Sequence, residues 1–141
     1  RIGIVLDKSG GALAKMLPPF KMGVGGTLGP GTQYMSWITL ADLVAALHYC
    51  AETDSLTGPV NAVAPNAVTN RAITKALGRT VHRPTLLPMP AFAAKLAFGE
   101  MADALLLSST RVEPRRLLES GFTFQHPEIE PALGTVLAKQ D

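Results

Sequence analysis

The sequence predicts an α/β fold, in which a small parallel sheet is followed by a mostly helical subdomain. Three observations predict it. The chain opens with an apolar run, Arg1–Leu6, which is typical of a strand buried on both faces of a parallel sheet. Residues 35–47 predict a short extended piece and then a capped helix. Residues 58–70 predict a strand, a turn and the start of a second capped helix, and this alternation of strands and helices is typical of parallel sheets.

The first third of the chain predicts a strand, a helix and a loop. Ile2, Ile4, Val5 and Leu6 supply the apolar positions of the strand, and residues 7–11 predict a turn. A short helix follows over residues 12–22, and we expect Pro18 and Pro19 to interrupt it because proline lacks an amide donor. Residues 23–31 contain five glycines and predict a flexible loop that runs over the surface.

The middle of the chain predicts two helices on either side of a strand. Residues 36–38 predict a short extended piece, after which Thr39 can cap a helix that runs to Ala51. The apolar stripe of that helix is Leu40, Leu43, Val44 and Leu47. Residues 60–64 predict a strand, the best parallel neighbour for the first strand within this chain. Thr69 can cap a second helix that ends at Gly78.

Closely spaced prolines change the character of the chain from Pro84 onward. Proline at a helix start and glycine just past the end predict helices over residues 90–98 and 114–120, and Pro127 begins a last one. Phe122 and Phe124 alternate like a short strand. The sequence therefore predicts two parts, residues 1–83 with the sheet and residues 84–141 as a small helical cap on the substrate side.

Composition excludes several classes of protein. The net charge of +2 is too small to indicate a nucleic-acid partner. Arg71, Lys75 and Arg79 recur at helical spacing and are interpreted as the solvated face of a helix. The single Cys50 excludes an internal disulfide and fits a reducing compartment, so we expect the cytoplasm. The apolar run of residues 102–107 is far below the roughly 20 residues that span a bilayer, so we expect no membrane partner.

No residues combine into a catalytic or metal site. His48, His82 and His126 fall in three different predicted elements, without Cys, Asp or Glu at metal-binding spacing. The glycine-rich loop nearly imitates a dinucleotide fingerprint, yet it leads to no helix N-terminus that could hold a pyrophosphate. We therefore predict no catalytic residue and no metal ligand in this chain.

Four blocks of sequence, in this order, carry a family resemblance. RIGIVL, GTQYMSWITLADLV, PVNAVAPNAVTN and RVEPRRLLESGFTFQHPEIEPAL resemble the C-terminal half of the epimerase/dehydratase branch, extended or atypical, of the short-chain dehydrogenase/reductase superfamily. The resemblance is closest to uncharacterised NAD(P)-binding epimerase-like proteins, some of which carry a cell-division-inhibitor label. It covers essentially the whole chain. It implies that these residues form the last strands of a Rossmann-type sheet and the cap on the substrate side.

The resemblance also implies what lies elsewhere. The family carries a GxxGxxG turn and a catalytic Ser/Thr with a YxxxK pair, but neither Tyr34 nor Tyr49 is followed by Lys at the required position. We expect the catalytic residues and most of the NAD or NADP site to lie upstream of Arg1, so that this chain is a C-terminal fragment. Val5 and Leu6, at the carboxyl end of the first strand, would lie against the nicotinamide.

Departures from the family pattern restrict the substrate. Sugar-nucleotide epimerases typically carry Asn where Ile4 stands and Arg where Met35 stands, and these clasp the substrate diphosphate. A thioether cannot replace the bidentate grip of arginine on phosphate. The sequence therefore predicts either a substrate without a nucleotide diphosphate or a pocket that has lost its substrate. Gln33 and Ser36 offer hydrogen bonds beside Met35 and Trp37, which suits a small, partly apolar molecule; alternatively, Trp37 only fills the core.

Two functions follow from the resemblance. The first is the substrate-domain fragment of an NAD(P)-dependent epimerase or oxidoreductase-like enzyme. The alternative is a non-catalytic regulatory protein of the same fold that binds a nucleotide or a partner, because fold alone does not establish chemistry. In either, we expect the apolar strand Arg1–Leu6 to pair along its second edge with the absent N-terminal half or with a second copy of the chain.

Overall fold

The computed structural model describes residues 1–102 and 108–138, in which short strands and helices alternate. The elements are β1 (Ile4–Leu6), α1 (Gly11–Lys21), β2 (Tyr34–Met35), β3 (Trp37–Thr39), α2 (Leu40–Glu52), β4 (Val68–Thr69), α3 (Asn70–Val81), α4 (Ala91–Phe98), α5 (Arg115–Ser120) and α6 (Ile129–Ala138). The α/β class and its parallel strand pairing are confirmed. Two strand pairs form: β1 with β3 in parallel, and β2 with β4 in antiparallel orientation.

The parallel partner of β1 differs from the predicted one. β1 pairs with β3, so that Ile4 lies opposite Trp37 and Leu6 lies opposite Thr39. Residues 60–64, the predicted partner, form no extended strand. They pair in parallel only with the amino end of the predicted strand, through a bridge between Ala62 and Ile2. There the Ala62 amide donates to the Arg1 carbonyl at 2.6 Å and the Gly3 amide to the Ala62 carbonyl at 3.2 Å. The short segment before α2 is thus the sheet partner, because the chain brings it back beside β1 in register.

The burial of β1 is uneven along its length. Leu6 is 1% exposed, Ile4 and Val5 are half-buried, and Ile2 is 57% exposed. The prediction that the whole run is buried on both faces is therefore wrong at its amino end. Within the part of the chain that the structure describes, packing covers the carboxyl end of β1 and leaves its amino end beside an open cavity.

Helix α1 is continuous through Pro18 and Pro19, so the predicted interruption is wrong. Pro18 and Pro19 lie inside the helix, where their fixed φ matches helical geometry although each lacks an amide donor to the preceding turn. The carbonyls of Pro18 and Pro19 accept hydrogen bonds from Met22 and Val24, at 3.1 and 3.0 Å, which carry the chain into the next turn. The buried face of α1 consists of Ala12, Leu13, Met16, Leu17 and Phe20.

The glycine-rich loop contains no helix, as predicted, but it is anchored rather than a free excursion. Leu28 is buried, and its amide donates to the Asn70 side-chain carbonyl at 2.7 Å. The Met89 amide donates to the Thr27 carbonyl at 2.8 Å. A Cβ atom on Gly26 would lie only 1.9 Å from the Leu87 carbonyl oxygen, so glycine is required for this crossing of two backbones.

Both predicted helix caps are confirmed. The hydroxyl of Thr39 accepts the Asp42 amide and that of Thr69 accepts the Ala72 amide, each at 3.2 Å. The predicted end at Gly78 is wrong. The α3 helix continues to Val81, and His82 takes the left-handed conformation after it, with φ of 58°.

Helix α2 turns a different face inward from the one its apolar stripe predicts. Leu43 is buried, whereas Leu40, Val44 and Leu47 are 44–54% exposed. The other buried residues are Asp42 and Ala46. The Asp42 carboxylate binds backbone amides of the C-terminal segment, and this contact orients α2 so that part of the apolar stripe faces outward.

A shared core joins the two predicted parts of the chain. Its buried residues include Leu13 of α1, Leu77 of α3, Ala94 of α4 and Leu133 of α6. The division at residue 83 stays a prediction. No helix of residues 1–102 and 108–138 is long and apolar enough to cross a membrane. Most of the apolar run 102–107 lies outside the described residues.

An exposed ion pair connects α3 with α6. Arg79 donates to both carboxylate oxygens of Glu130, at 2.8 and 3.0 Å. The hydrogen bond from Arg79 lowers the pKa of the Glu130 carboxyl from its ordinary value. The pair therefore contributes stability above the unfolded-state pKa of that carboxyl and loses it as the pH falls through the folded-state pKa.

Candidate functional site

A cavity of about 540 Å³ lies beside the amino end of β1, and its volume is in the range of small-molecule sites. Four segments form it: residues 1–4, residues 34–36, residues 61–63 and residues 108–112. Its apolar lining consists of Ile2, Ile4, Met35, Val63 and Val112. Its polar lining consists of Arg1, Tyr34, Ser36, Asn61, Ser108 and Thr110. The arrangement suits a ligand with an apolar body and a few polar groups.

Gly3 allows these segments to meet. The Ile4 amide donates to the Ser36 carbonyl at 2.9 Å, which draws the two strands together just beyond Gly3. A Cβ atom on Gly3 would lie 2.8 Å from both the Ser36 carbonyl oxygen and a methyl carbon of Val63. Glycine at this position therefore allows residues 36 and 63 to approach the backbone closely on this side of the cavity.

The segment 108–112 forms one wall and is tied to residues 34–36 by several hydrogen bonds. The Ser36 hydroxyl donates to the Thr110 carbonyl and accepts the Val112 amide, both at 2.9 Å. The Thr110 amide donates to the Tyr34 carbonyl, and the Tyr34 amide donates to the Ser109 hydroxyl, both at 3.0 Å. Ser36 thus uses its hydroxyl hydrogen to hold the wall in place.

Three of the five predicted substrate residues come together here. Ile4, Met35 and Ser36 line the cavity, and Gln33 and Trp37 lie outside its lining. Gln33 is buried and donates to the Leu28 carbonyl at 2.9 Å. Trp37 is 1% exposed, and its indole N–H donates to the Asn66 carbonyl at 2.9 Å. The structure therefore places Trp37 in the core, which is the alternative that the sequence left open.

The two predicted cofactor residues lie apart from this cavity. Leu6 is buried and lines a second cavity of about 420 Å³ between the carboxyl ends of β1 and β3, together with Thr39 and His126. Val5 packs against the smaller core around Ile38 and Leu117. Their contact with a nicotinamide stays a prediction.

Sequence reasoning missed the pairing of Tyr34 with Arg111. The guanidinium carbon of Arg111 lies 4.8 Å from the centroid of the Tyr34 ring, within the range of a cation–π contact. Tyr34 lines the cavity, and Arg111 lies between two other lining residues, Thr110 and Val112. Because Tyr34 and Arg111 are far apart in the chain, no local pattern could have connected them.

The histidines do not form a metal site in the part of the chain that the structure describes, where no group of three or more potential ligands occurs. His126 lies instead beside a buried carboxylate. Asp42 accepts the amides of Gln125 and His126, each at 2.9 Å, and the His126 ring nitrogen lies 3.4 Å from the Thr39 hydroxyl. This cluster attaches the C-terminal segment to the start of α2.

Comparison with known proteins finds a matching domain family, related sequences and similar structures. Residues 89–136 match a domain of unknown function, DUF1731. The epimerase family protein Mb2239 of Mycobacterium bovis is 48% identical over 134 residues, which are 95% of this chain and 44% of that protein. The crystal structure of the human epimerase family protein SDR39U1 (isoform 2) with NADPH superposes with a TM-score of 0.89 and 34% identity. It covers 99% of this chain and 48% of that one.

The chain is similar to the C-terminal part of epimerase family proteins. The resemblance carried by the four sequence blocks is thereby confirmed, and the cell-division-inhibitor label stays untested. A nucleoside-diphosphate sugar epimerase from Corynebacterium glutamicum also superposes, with a TM-score of 0.71 and 32% identity over 97% of this chain and 25% of that one. The chain spans about half the length of the curated relatives that it matches.

Proposed function

We propose that this chain is the substrate-side part of an NAD(P)-dependent epimerase or oxidoreductase-like protein. The observation that carries the proposal is the cavity lined by Ile4 and Met35, which has the size and apolar lining of a small-molecule site. The similarity to a human relative solved with NADPH supports the class of cofactor. When bound, such a cofactor supplies hydride chemistry, and the residues of this chain shape the space for the substrate.

The residues present fit one end of the cofactor only. Val5 and Leu6, at the carboxyl end of β1, are the residues proposed to lie against the nicotinamide, and Leu6 lines the second cavity beside Thr39. A pyrophosphate needs backbone amides at a helix N-terminus, usually behind a glycine-rich turn. Here the glycine-rich loop leads into β2, and Gly26 lies against the Leu87 carbonyl. The phosphates would therefore be bound by a region that corresponds to the other half of the longer relatives.

We expect the 141-residue chain by itself to show no binding of NADPH or NADH in calorimetric titration. The reason is that its described residues provide no cradle for the pyrophosphate. The matched positive control is a chimera in which this chain replaces the corresponding C-terminal part of the Mycobacterium bovis relative, and we expect that chimera to bind NADPH. Micromolar binding by the isolated chain would contradict the proposal that the phosphates are bound by the other half of the longer protein.

The substrate proposed for the cavity is small, partly apolar and free of a nucleotide diphosphate. Met35 is 4% exposed, and its sulfur contacts the Asn70 side-chain amide at 3.9 Å, so it offers phosphate no charge-assisted partner. Ile4 offers none either. A diphosphate at this position would lose its hydration without compensation.

In the chimera, we expect UDP-glucose and UDP-galactose to show no measurable epimerisation. We expect Met35→Arg to raise the affinity for UDP-glucose at least tenfold, which is about 1.4 kcal/mol, over Met35→Leu, which keeps the site apolar. Affinity can be measured by calorimetry and turnover by coupled assay. Because the Corynebacterium glutamicum relative is named a nucleoside-diphosphate sugar epimerase, the assay is decisive: ordinary turnover of either sugar nucleotide by the unmodified chimera would refute this view of the pocket.

The proposed function also requires another segment to pack over the amino end of β1. Ile2 is 57% exposed at the edge of the cavity, so an added element there would complete the site. We propose that the N-terminal part of the longer protein provides it, and a second copy of the chain is the other occupant that the sequence predicts. Light scattering separates them, since a concentrated chain that stays monomeric favours the N-terminal part. The cytoplasm remains the proposed compartment, on the single Cys50.

A further inference from the structure

Arg111 is fixed at the edge of the candidate cavity. The residues on either side of it are tied to the opposite wall, Thr110 through its amide to the Tyr34 carbonyl and Val112 through its amide to the Ser36 hydroxyl. Its guanidinium lies over the Tyr34 ring. Both the backbone and the head group of Arg111 are therefore positioned before any ligand arrives, which reduces the entropy lost on binding.

The charge of Arg111 has no carboxylate partner among the residues that the structure describes. Glu113 instead lies 3.9 Å from Arg115. Among the described residues, no Asp or Glu lines the larger cavity, and Arg1 adds a second positive group to its lining. A guanidinium stacked on an aromatic face keeps its in-plane N–H donors free for a two-pronged contact with an anion.

Arg111 lines another cavity of about 460 Å³ rather than the larger one, together with Arg115 and Glu113. The two cavities adjoin, because Asn61 and Val112 line both. A molecule in the larger cavity can thus extend one end past Val112 to Arg111. The remainder of such a molecule would lie against Ile4, Met35 and Val63, which require an apolar group.

We propose that the ligand of this cavity is an apolar carboxylic acid, whose carboxylate is bound by Arg111 and whose body fills the space beside Ile4 and Met35. The inference rests on the proposed function, because it names the substrate class of the same cavity. One stacked guanidinium matches the planar geometry and the single charge of a carboxylate. A phosphate monoester shares the anionic chemistry, and the experiment distinguishes the two.

The test titrates the chimera described above, in which the missing part of the site is supplied, with octanoate, octanamide and octyl phosphate, by calorimetry and by amide NMR shifts of residues 34–36. We expect octanoate to bind at least tenfold more tightly than octanamide. In Arg111→Gln this preference should disappear, while octanamide binding is unchanged. In Lys75→Gln, which removes an exposed charge from α3 far along the chain, the preference should persist.

Three results would overturn the inference, each in its own way. Equal affinity for octanoate and octanamide, with shifts at residues 34–36, would show that the carboxylate is not recognised. The proposed pocket itself would still be supported. Octyl phosphate binding ten times more tightly than octanoate would assign the anion as phosphate instead. Absence of shifts at residues 34–36 with all three probes would refute the pocket itself, and the proposed function with it. An unchanged melting temperature of Arg111→Gln shows that any loss is not a loss of folding.

Discussion

Replacement of Trp37 by alanine should lower the free energy of unfolding by about 3–5 kcal/mol. The side chain is 1% exposed and belongs to the main core, together with Leu6, Met35 and Ala64. Truncation to alanine would remove the buried area and leave a cavity that the strand β3 cannot close, because its backbone is fixed in register with β1. It would also leave the Asn66 carbonyl without its indole donor. Urea unfolding followed by circular dichroism gives the value.

Two further variants separate the contributions at this position. Trp37→Phe retains most of the volume and removes the indole N–H, so we expect a loss of about 1–2 kcal/mol. Leu47→Ala changes a side chain that is 54% exposed on α2 and should stay within about 0.5 kcal/mol of the natural chain. A loss below about 1 kcal/mol for Trp37→Ala would show that the tryptophan is not a core residue and would restore the pocket-lining alternative.

Replacement of Asp42 by alanine should cost about 3 kcal/mol or more of stability, because it breaks charge-assisted hydrogen bonds in a buried position. The carboxylate is fully buried, and each of its oxygens accepts one backbone amide, from Gln125 and from His126. Truncation would leave both amide donors without their acceptor and would release the C-terminal segment from α2. Hydrogen exchange at the Gln125 and His126 amides should accelerate together with the loss of stability.

The chemistry of this contact can be tested by a graded series. Asp42→Asn keeps the shape but offers only one acceptor oxygen, so its loss should fall between those of the natural chain and Asp42→Ala. Asp54→Ala removes an exposed carboxylate just beyond α2 and should change stability by less than about 0.5 kcal/mol. If Asp42→Ala is no more costly than Asp54→Ala, the carboxylate does not anchor the C-terminal segment.

The sequence already contained those parts of the fold that depend on neighbouring residues. The caps at Thr39 and Thr69 require only a hydroxyl and an amide three residues later, and both form as predicted. The apolar pair Ile4 and Met35 was identified from its position in the family blocks, and both residues line the cavity. The resemblance itself rested on residue order, which needs no structure.

Elements that depend on distant partners were predicted less well. The exposed stripe of α2 looks apolar in sequence, but Asp42 turns the helix by binding amides more than eighty residues away. The glycine-rich loop looks flexible, but Met89 anchors it through a backbone hydrogen bond and Asn70 through its side-chain oxygen. Glycine at position 26 permits the close approach of the Leu87 carbonyl. In both, a contact between distant segments outweighs the local pattern.

By itself, the sequence determined the α/β class, the helix starts and the resemblance to epimerase family proteins, because each of these depends on residues adjacent in the chain or on their order. Only the tertiary structure decided which strand pairs with β1, that Trp37 fills the core, and that Arg111 stacks on Tyr34 at the cavity edge. Such contacts join segments far apart in the chain. Their energy depends on distance and burial in three dimensions, which local periodicity does not encode.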